Sequence, residues 1–335
     1  MTDSRFSDQY LADALEEALI VLHSNNQIEW CNQAAMNLFS SELEPIQGRD
    51  ILNVVPHADL ELLIEKKIDG PIDVVSPSDK RSRFSITARP YSQGKKLLII
   101  KNITHTFYLE AMRQDFVANL SHELRTPLTV FHGYLDLLIS SPGVEPDKLQ
   151  EILQQMSGQA DRMERLVEDL LLLSKLESVE PDISTHAPIN VNALLKEIIA
   201  DAKLLSDGQH RFIVDIDDTA SLMANAGEMH SAFSNLIYNA VRYTPEQGTI
   251  HVSWCKKAGE MVFAVKDDGI GISLKHVSRI TQRFYRVDKS RLYRGQGGTG
   301  LGLAIVKHVA LRHGAELKID SKLGSGSLFQ LVFSV

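Results

Sequence analysis

The sequence contains little cysteine and little tryptophan, with two of each among 335 residues. Cys31 and Cys255 lie far apart, and neither has the closely spaced ligand partners that a zinc site needs. A disulfide framework and a cysteine-based metal site are therefore excluded as organising features. We expect reduced thiols in a cytosolic environment.

Long apolar runs are also missing. The longest are five residues, Ala18–Leu22 and Met261–Val265, whereas a membrane-spanning helix needs about 20 apolar residues. The first seven residues lack the apolar core of a signal peptide. We therefore expect a cytoplasmic chain as given, which could be the cytosolic part of a longer membrane protein.

Basic residues are outnumbered, with 35 Lys and Arg against 43 Asp and Glu and a net charge of −8. This balance argues against a general nucleic-acid binder, so no direct nucleic-acid partner is expected. The hydrophobic content of 44% is ordinary for globular protein, and the length allows two or three domains with real cores.

The N-terminal hundred residues alternate short strands with short helices. This order predicts an α+β sensor module, and the run from Ile28 to Phe39 resembles a PAS domain. Its core is either filled by its own side chains or built around a cofactor, for which candidate ligands are His23, His57, His105 and Cys31. The predicted elements are strands at Ala18–Leu22, Gln27–Cys31, Ile72–Val75, Arg83–Ala88 and Lys96–Ile103, and helices at Asn32–Phe39 and Asp59–Lys67.

Two long amphipathic helices follow, His105–Ile139 and Asp147–Ser178, joined by a short turn with two prolines. Such a pair predicts an antiparallel helical hairpin. One hairpin leaves its apolar seam exposed, so two copies should pair into a four-helix bundle. A homodimer is the expected assembly.

The first of these helices carries one narrow apolar stripe. His122 lies about 200° round from Leu120 on a helix, and Thr126 shares the face of His122. Pro127 inside the helix predicts a local bend. These residues mark either a functional site or an ordinary surface histidine on a kinked helix. The stripe consists of Phe116, Leu120, Leu124, Leu128, Phe131, Leu135 and Leu138.

The last 147 residues mix helices with strands and predict an α/β sandwich with one largely antiparallel sheet. The predicted helices are Val191–Leu205, Gly227–Tyr243, Leu274–Gln282 and Leu301–His313. The predicted strands are Arg211–Ile216, Gly248–Trp254, Met261–Lys266, Ala315–Ser321 and Ser327–Phe333.

Three patterns in this region could carry chemistry. Asn235, Asn239 and Arg242 fall within about 60° on one helix face, which suits a metal–phosphate site or merely a polar helix face. Asp267 follows an apolar strand and precedes Gly269 and Gly271. A carboxylate there can accept a hydrogen bond from the amine of adenine, although turns also produce this pattern by chance.

The third pattern is a glycine-rich segment at 295–303 that opens a helix. Backbone amides in such a segment bind phosphate. The basic residues before it form either a lid over a triphosphate or a solvated charged loop. They are Arg286, Lys289 and Arg291, with Arg294 closer to the glycines.

The order of these motifs resembles the ATP-binding domain shared by sensor histidine kinases and gyrase-type ATPases. With Ser121–Pro127 upstream, the whole chain resembles a sensor histidine kinase. The helix from Asn235 to Tyr243 matches the N box, and Phe284–Asp288 matches the F box. Asp115–Leu128 together with Arg283–Arg291 is most similar to the phosphate-regulon sensor kinases. Those kinases usually carry N-terminal membrane helices, which would make this chain the cytosolic part of an inner-membrane protein.

The resemblance implies a multidomain α+β protein with a PAS-like sensor domain at 1–104, a dimerisation and phosphotransfer hairpin at 105–180, and an ATP-binding domain at 187–335. His122 would be the phosphoacceptor and Glu123 its base, while Thr126 would serve dephosphorylation of the partner. The implied partners are a second copy of the chain, the receiver domain of a response regulator, and a sensory adaptor at the PAS-like domain.

The resemblance also implies ATP and Mg²⁺ as cofactors. Asn239 would ligate Mg²⁺ beside Asn235, and Asp267 with its glycines would hold adenine, against which Tyr243 would pack. The remaining residues would surround the phosphates: Arg242, Arg286, Lys289, Arg291, Gly298, Thr299, Gly300, Leu301 and Gly302.

Three alternatives remain open at this point. An ATP-driven conformational machine of the gyrase or chaperone type would hydrolyse ATP without a phosphohistidine. A degenerate kinase would serve only as a dimeric scaffold. Another PAS-containing sensor kinase would share the mechanism but respond to a different stimulus.

Overall fold

The computed structural model describes residues 10–39, 46–76, 79–141, 143–178, 185–217, 222–257, 259–287 and 298–334. The chain divides into two compact units, Met1–Asp115 and Phe116–Val335. Within the described ranges, every helix is too short or too polar to cross a membrane. The predicted division into three domains remains a prediction, because the helical hairpin and the C-terminal α/β region fall within one unit.

The first unit contains a five-stranded antiparallel sheet in the order β2-β1-β5-β4-β3. Burial alternates along Ile72–Val75, where Ile72 and Val74 are buried, whereas Ala18–Leu22 is an almost continuously buried apolar run. The strands are β1 (Ala18–Leu22), β2 (Ile28–Cys31), β3 (Ile72–Val75), β4 (Arg83–Pro90) and β5 (Lys96–Asn102). Between β2 and β3, the described residues form three helices, α1 (Gln33–Phe39), α2 (Ile51–Val54) and α3 (Ala58–Ile64).

Two of the histidines considered as cofactor ligands in this unit make local contacts. His23 is exposed and lies 3.5 Å from Glu29, and His57 caps α3 by accepting a hydrogen bond from the Asp59 amide at 3.3 Å. Cys31 is buried, and burial raises the pKa of its thiol. A raised pKa makes this cysteine a weak nucleophile.

The second unit begins within α4 (Thr104–Ser140), which forms the predicted helical hairpin with α5 (Pro146–Ser178). Helix α4 continues without interruption through Pro127, whose side chain is buried. The apolar stripe of α4 does not serve a single interface, because its first three residues pack against the large core of the same chain, whereas Leu128 and Leu135 are exposed. Those first three are Phe116, Leu120 and Leu124.

The C-terminal region is a layer of helices on one sheet in the order β11-β12-β10-β9-β7. Strand β7 pairs with β9 in parallel and the other pairs are antiparallel, so the predicted, largely antiparallel sheet is confirmed. The helices are α6 (Val191–Ser206), α7 (Ala226–Tyr243), α8 (Leu274–Val277) and α9 (Gly302–Arg312). The strands are β7 (Arg211–Ile216), β9 (Thr249–Lys257), β10 (Glu260–Asp267), β11 (Ala315–Ser321) and β12 (Ser327–Phe333).

Two predictions in this region were incomplete. The helix expected over Leu274–Gln282 ends at Val277, because the amides of Arg279 and Gln282 bond to carbonyls three residues earlier and form turns instead. A small antiparallel pair, β6 (Ala187–Ile189) with β8 (Leu222–Ala224), was not predicted. Three-residue strands are too short to show alternation in a sequence.

Candidate active site

His122 lies on the exposed surface of α4, and Thr126 is exposed one turn further on. The Thr126 hydroxyl donates to the His122 carbonyl oxygen at 3.2 Å, which keeps the threonine on the face of the histidine. His122 is thus exposed, whereas Leu120 and Leu124 of the stripe are half-buried. An exposed imidazole on a rigid helix can be reached by a second domain or a second protein.

Glu123 is half-buried and paired with arginines from two other elements. Its Oε2 accepts a hydrogen bond from Arg162 Nη2 of α5 at 3.1 Å. Its Oε1 lies 3.9 Å from Arg286 Nη1, which belongs to the segment after α8. The structure thus brings Arg286, expected at the phosphates, beside the helix that carries His122.

Helix α7 positions the two amides and the arginine as predicted. Asn225 caps its N-terminus by accepting from the Glu228 amide at 3.1 Å. The predicted apolar face is buried and leaves Asn235, Asn239 and Arg242 on the half-exposed side. The buried residues are Phe233, Leu236, Ile237, Ala240 and Val241.

Asp267 ends strand β10 and is 6% exposed. Its Oδ1 accepts hydrogen bonds from the amides of Gly269 at 2.9 Å and Ser327 at 3.2 Å. Burial raises the pKa of this carboxyl, although the two backbone donors oppose the shift. These bonds use Oδ1, so Oδ2 can accept from a ligand amine.

Close approach explains the glycines around this carboxylate. A Cβ atom at Gly269 would lie 2.7 Å from Asp267 Oδ1, and one at Gly271 would collide with the Lys322 carbonyl. Gly271 also has φ +65°, a conformation that L side chains rarely adopt. Tyr243, at the end of α7, accepts a hydrogen bond from the Ile270 amide at 3.1 Å through its carbonyl, and the residue is 41% exposed.

The second glycine cluster packs against α7. A Cβ atom at Gly302 would collide with Asn235 Oδ1, and one at Gly298 would collide with the Arg242 guanidinium. Gly300 has φ +73° and accepts a hydrogen bond from the Phe284 amide at 2.9 Å. Two motifs that are distant in sequence therefore form one surface, with backbone and guanidinium groups able to bind phosphate.

The electrostatics of this surface favour an anion. Burial lowers the pKa of Arg242, and the nearby positive charges of Arg165, Arg286 and Arg162 lower it further. Four guanidinium groups near one another repel, so a polyanion bound among them would be strongly attracted. Lys289 and Arg291, the other predicted phosphate ligands, lie outside the described residues.

Sequence analysis missed the contribution of α5. Asp169 Oδ2 accepts from the Thr299 hydroxyl at 3.1 Å, and Glu177 pairs with Arg283 and with His308. Arg162, Arg165 and Asp169 follow one another at spacings of three and four, so they share a helix face. That polar face was the available signal, but nothing in the sequence states what it contacts.

Two family models match the chain. The "His Kinase A (phospho-acceptor) domain" matches residues 112–179. The "Histidine kinase-, DNA gyrase B-, and HSP90-like ATPase" matches residues 224–335. The first match contains His122, Glu123 and Thr126, and the second contains the two asparagines, Asp267 and both glycine clusters.

Several curated proteins are similar over most of their length. The phosphate regulon sensor protein PhoR of Pseudomonas aeruginosa is 42% identical over 323 residues, which cover 96% of this chain and 72% of that protein. PhoR of Haemophilus influenzae is 31% identical over 319 residues, which cover 95% of this chain and 74% of that protein. The sensor histidine kinase WalK of Bacillus subtilis is 32% identical, and the alignment covers 93% of this chain and 52% of that protein.

One solved structure matches nearly the full chain. The histidine kinase ThkA, determined in complex with the response regulator protein TrrA, aligns with a TM-score of 0.52 at 20% identity. The alignment covers 99% of this chain and 98% of that one. At this identity the match establishes a shared fold.

Proposed function

This chain belongs to the sensor histidine kinases, in the phosphate-regulon subgroup, and we propose that His122 is its phosphoacceptor. The protein binds ATP, phosphorylates itself on histidine and passes the phosphoryl group to a response regulator in phosphate signalling. One observation carries the assignment of His122. His122 is exposed, and the next residue, Glu123, lies within ion-pair distance of Arg286 from the ATP-binding region.

In the proposed transfer, an unprotonated ring nitrogen of His122 attacks the γ-phosphorus of ATP. The new bond joins nitrogen to phosphorus, the bond to the bridging oxygen breaks, and ADP leaves. The proton lost by the ring passes to Glu123. Transfer of this kind depends mainly on positioning and on neutralising the phosphate charge.

The residues of the ATP site divide into three roles. Asp267 accepts from the adenine amine through Oδ2, and Gly269 and Gly271 allow the ring to approach the backbone. Arg242 and Arg286 balance the phosphate charge. The backbone around Gly298, Gly300 and Gly302, with Thr299 and Leu301, surrounds the phosphates, and a Cβ atom at any of the three glycines would collide with a neighbouring residue.

Asn239 is the proposed Mg²⁺ ligand, with Asn235 beside it. An amide oxygen is a hard ligand suited to this ion, which usually keeps several waters and binds the phosphates of its nucleotide. When bound, Mg²⁺ supplies charge neutralisation at the phosphates. Asn235 donates to the Ser231 carbonyl at 2.8 Å, which turns its oxygen toward Gly302.

A second activity, dephosphorylation of the response regulator, is proposed for Thr126. Its hydroxyl lies one turn from His122 on the same exposed face. A docked receiver domain that can reach His122 can therefore also reach Thr126. The chain would then act as a bifunctional kinase and phosphatase.

Residues 1–104 are proposed as a PAS-like sensor domain, followed by the hairpin at 105–180 and the ATP-binding domain at 187–335. The five-stranded antiparallel sheet with three helices inserted between β2 and β3 supports the first assignment. A sensory adaptor is the proposed partner of this domain.

The hairpin is the proposed dimer interface. Several large apolar side chains on α4 and α5 are exposed in one chain, and a second hairpin would cover them. They are Leu128, Leu135, Leu149, Leu153, Val167 and Leu171.

The decisive experiment is incubation of the full chain with γ-labelled ATP and Mg²⁺, comparing wild type with His122→Gln. We expect acid-labile label on the wild type and none on the variant, because a phosphoramidate is lost in acid. His132→Gln, an exposed histidine on the same helix, is the control and should retain the label. ATP hydrolysis with unchanged labelling in His122→Gln would contradict the proposal, and hydrolysis without any label would favour a conformational ATPase.

A further inference from the structure

One carboxylate of the helical hairpin lies against the proposed phosphate site. Asp169, on α5, accepts a hydrogen bond from the Thr299 hydroxyl at 3.1 Å through Oδ2. The two residues are 130 positions apart in sequence. Thr299 belongs to the glycine-rich segment, and its hydroxyl also accepts from the Leu301 amide at 3.3 Å, where α9 begins.

The same carboxylate is electrostatically coupled to the arginine of α7. Arg242 and Arg165 both attract the negative charge of Asp169, while Glu168 repels it. Burial is nevertheless the dominant influence and raises the pKa of Asp169. Asp169 thus places a negative charge among a hydroxyl and guanidinium groups, which are the donors that a phosphate group would use.

Neighbouring contacts hold this part of α5 in place. Glu177, two turns further along the helix, pairs with Arg283 and lies 3.1 Å from His308 Nε2. On the other helix of the hairpin, α4, the ring of Phe116 packs against the ring of Phe284, with the centroids 5.6 Å apart. The contact between Asp169 and Thr299 is therefore part of a packed interface and is not an isolated surface pair.

We propose that Asp169 is a positioning residue of the phosphate site, occupying the place of an anion until the polyphosphate of ATP displaces it. Without nucleotide, its carboxylate holds Thr299 and partly neutralises Arg242. ATP offers several negative charges to the same groups and releases Asp169. Nucleotide binding would then loosen the contact between α5 and the glycine-rich segment. This inference rests on the ATP site proposed above.

The test is equilibrium binding of a non-hydrolysable ATP analogue with Mg²⁺ to the full chain at neutral pH. Asp169→Asn keeps an oxygen for Thr299 but removes the competing charge, so its affinity should rise about fivefold or more, as for a typical coupling between sites. Asp169→Ala should change affinity in the same direction. Asp169→Glu keeps the charge and should stay closer to wild type than either neutral variant.

The matched control is Asp161→Asn, which removes an exposed carboxylate from the same helix two turns earlier. It changes the net charge equally and should leave the affinity for the analogue unchanged. An equal gain in this control would assign the effect to net charge and overturn the proposal.

The pH dependence provides a readout that a purely structural role would not affect. As the pH falls through the raised pKa of Asp169, wild type loses the competing charge and the advantage of Asp169→Asn should shrink. The ratio of the two affinities isolates this group, because both proteins share Asp267. The charged groups facing Asp169 are Arg165 and Glu168 of its own helix and Arg242 of α7.

Two outcomes separate the inference from the function. If Asp169→Asn binds the analogue no more tightly than wild type while Asp267→Asn loses binding, the inference is overturned and the ATP site stands. If Asp267→Asn binds as well as wild type, the proposed site is wrong and the inference fails with it.

Discussion

Arg162 Nη2 donates to Glu123 Oε2 at 3.1 Å, so the carboxylate next to His122 is already paired within its own hairpin. Arg286 Nη1 lies 3.9 Å from the other oxygen of the same carboxylate. This carboxylate of the hairpin therefore lies near arginines of both the hairpin and the ATP-binding region. The proposed proton transfer from His122 requires this carboxylate to be available.

Arg162→Gln should increase the initial rate of autophosphorylation by up to about fivefold. Both partners are about a quarter exposed, and such ion pairs contribute about 1 kcal/mol at most, so releasing Glu123 can change the rate only modestly. The measurement is label incorporation at saturating ATP. Arg125→Gln, an exposed arginine on α4, is the control, and a slower rate in Arg162→Gln would show that the pair supports the reaction instead.

Asp267→Asn should weaken binding of an ATP analogue more than about tenfold, because the amide that replaces one oxygen cannot accept from adenine. Thermal stability at neutral pH should not fall. Burial raises the pKa of Asp267 in the folded state, so the protonated carboxyl stabilises the fold at low pH and this contribution is lost as the pH rises through that pKa. The neutral amide of the variant therefore removes no stabilising contribution of this kind above that pKa. Asp320→Asn, an exposed carboxylate on β11, should change neither quantity.

Thr126→Ala should reduce the rate of dephosphorylation of the phosphorylated response regulator by at least about tenfold. This loss is smaller than the rate enhancement of about a hundredfold or more that a positioned acid–base group typically supplies. Autophosphorylation should remain near wild type, because the hydroxyl is not part of the ATP site. Thr129→Ala is a close control, since Thr129 is also exposed and donates to the carbonyl four residues earlier at 3.0 Å. Equal losses in the two variants would contradict a specific role for Thr126.

Gly302→Ala should lower analogue affinity by about tenfold, in the range expected when an added methyl forces repacking. The new Cβ would displace the Asn235 side chain beside the proposed Mg²⁺ ligand. Gly158→Ala provides the contrast, because a Cβ there meets nothing within 4 Å and the site is in the middle of α5. That variant should stabilise the fold by about 0.5–1 kcal/mol without changing affinity, as measured by thermal unfolding and analogue binding.

Local periodicity predicted much of the fold. Strands Ile72–Val75, Arg211–Ile216 and Ser327–Phe333 were predicted with the bounds that the structure has, because turn residues flank apolar runs of strand length. The helix predicted over Leu274–Gln282 was too long, because the chain forms turns after Val277 and helical spacing does not distinguish such turns from a continuing helix. The apolar stripe of α4 was predicted as one seam, and its division between the core of its own chain and exposed positions could not be predicted.

The sequence by itself determined the family and the residues that we propose for the chemistry. Helical spacing places Thr126 on the face of His122, and the order of the motifs alone indicates the family. Only the tertiary structure decided which partners these residues meet. Glu123 with Arg162 and Asp169 with Thr299 are 39 and 130 positions apart. No local repeat connects residues so distant, because their proximity results from the packing of helices against a folded core.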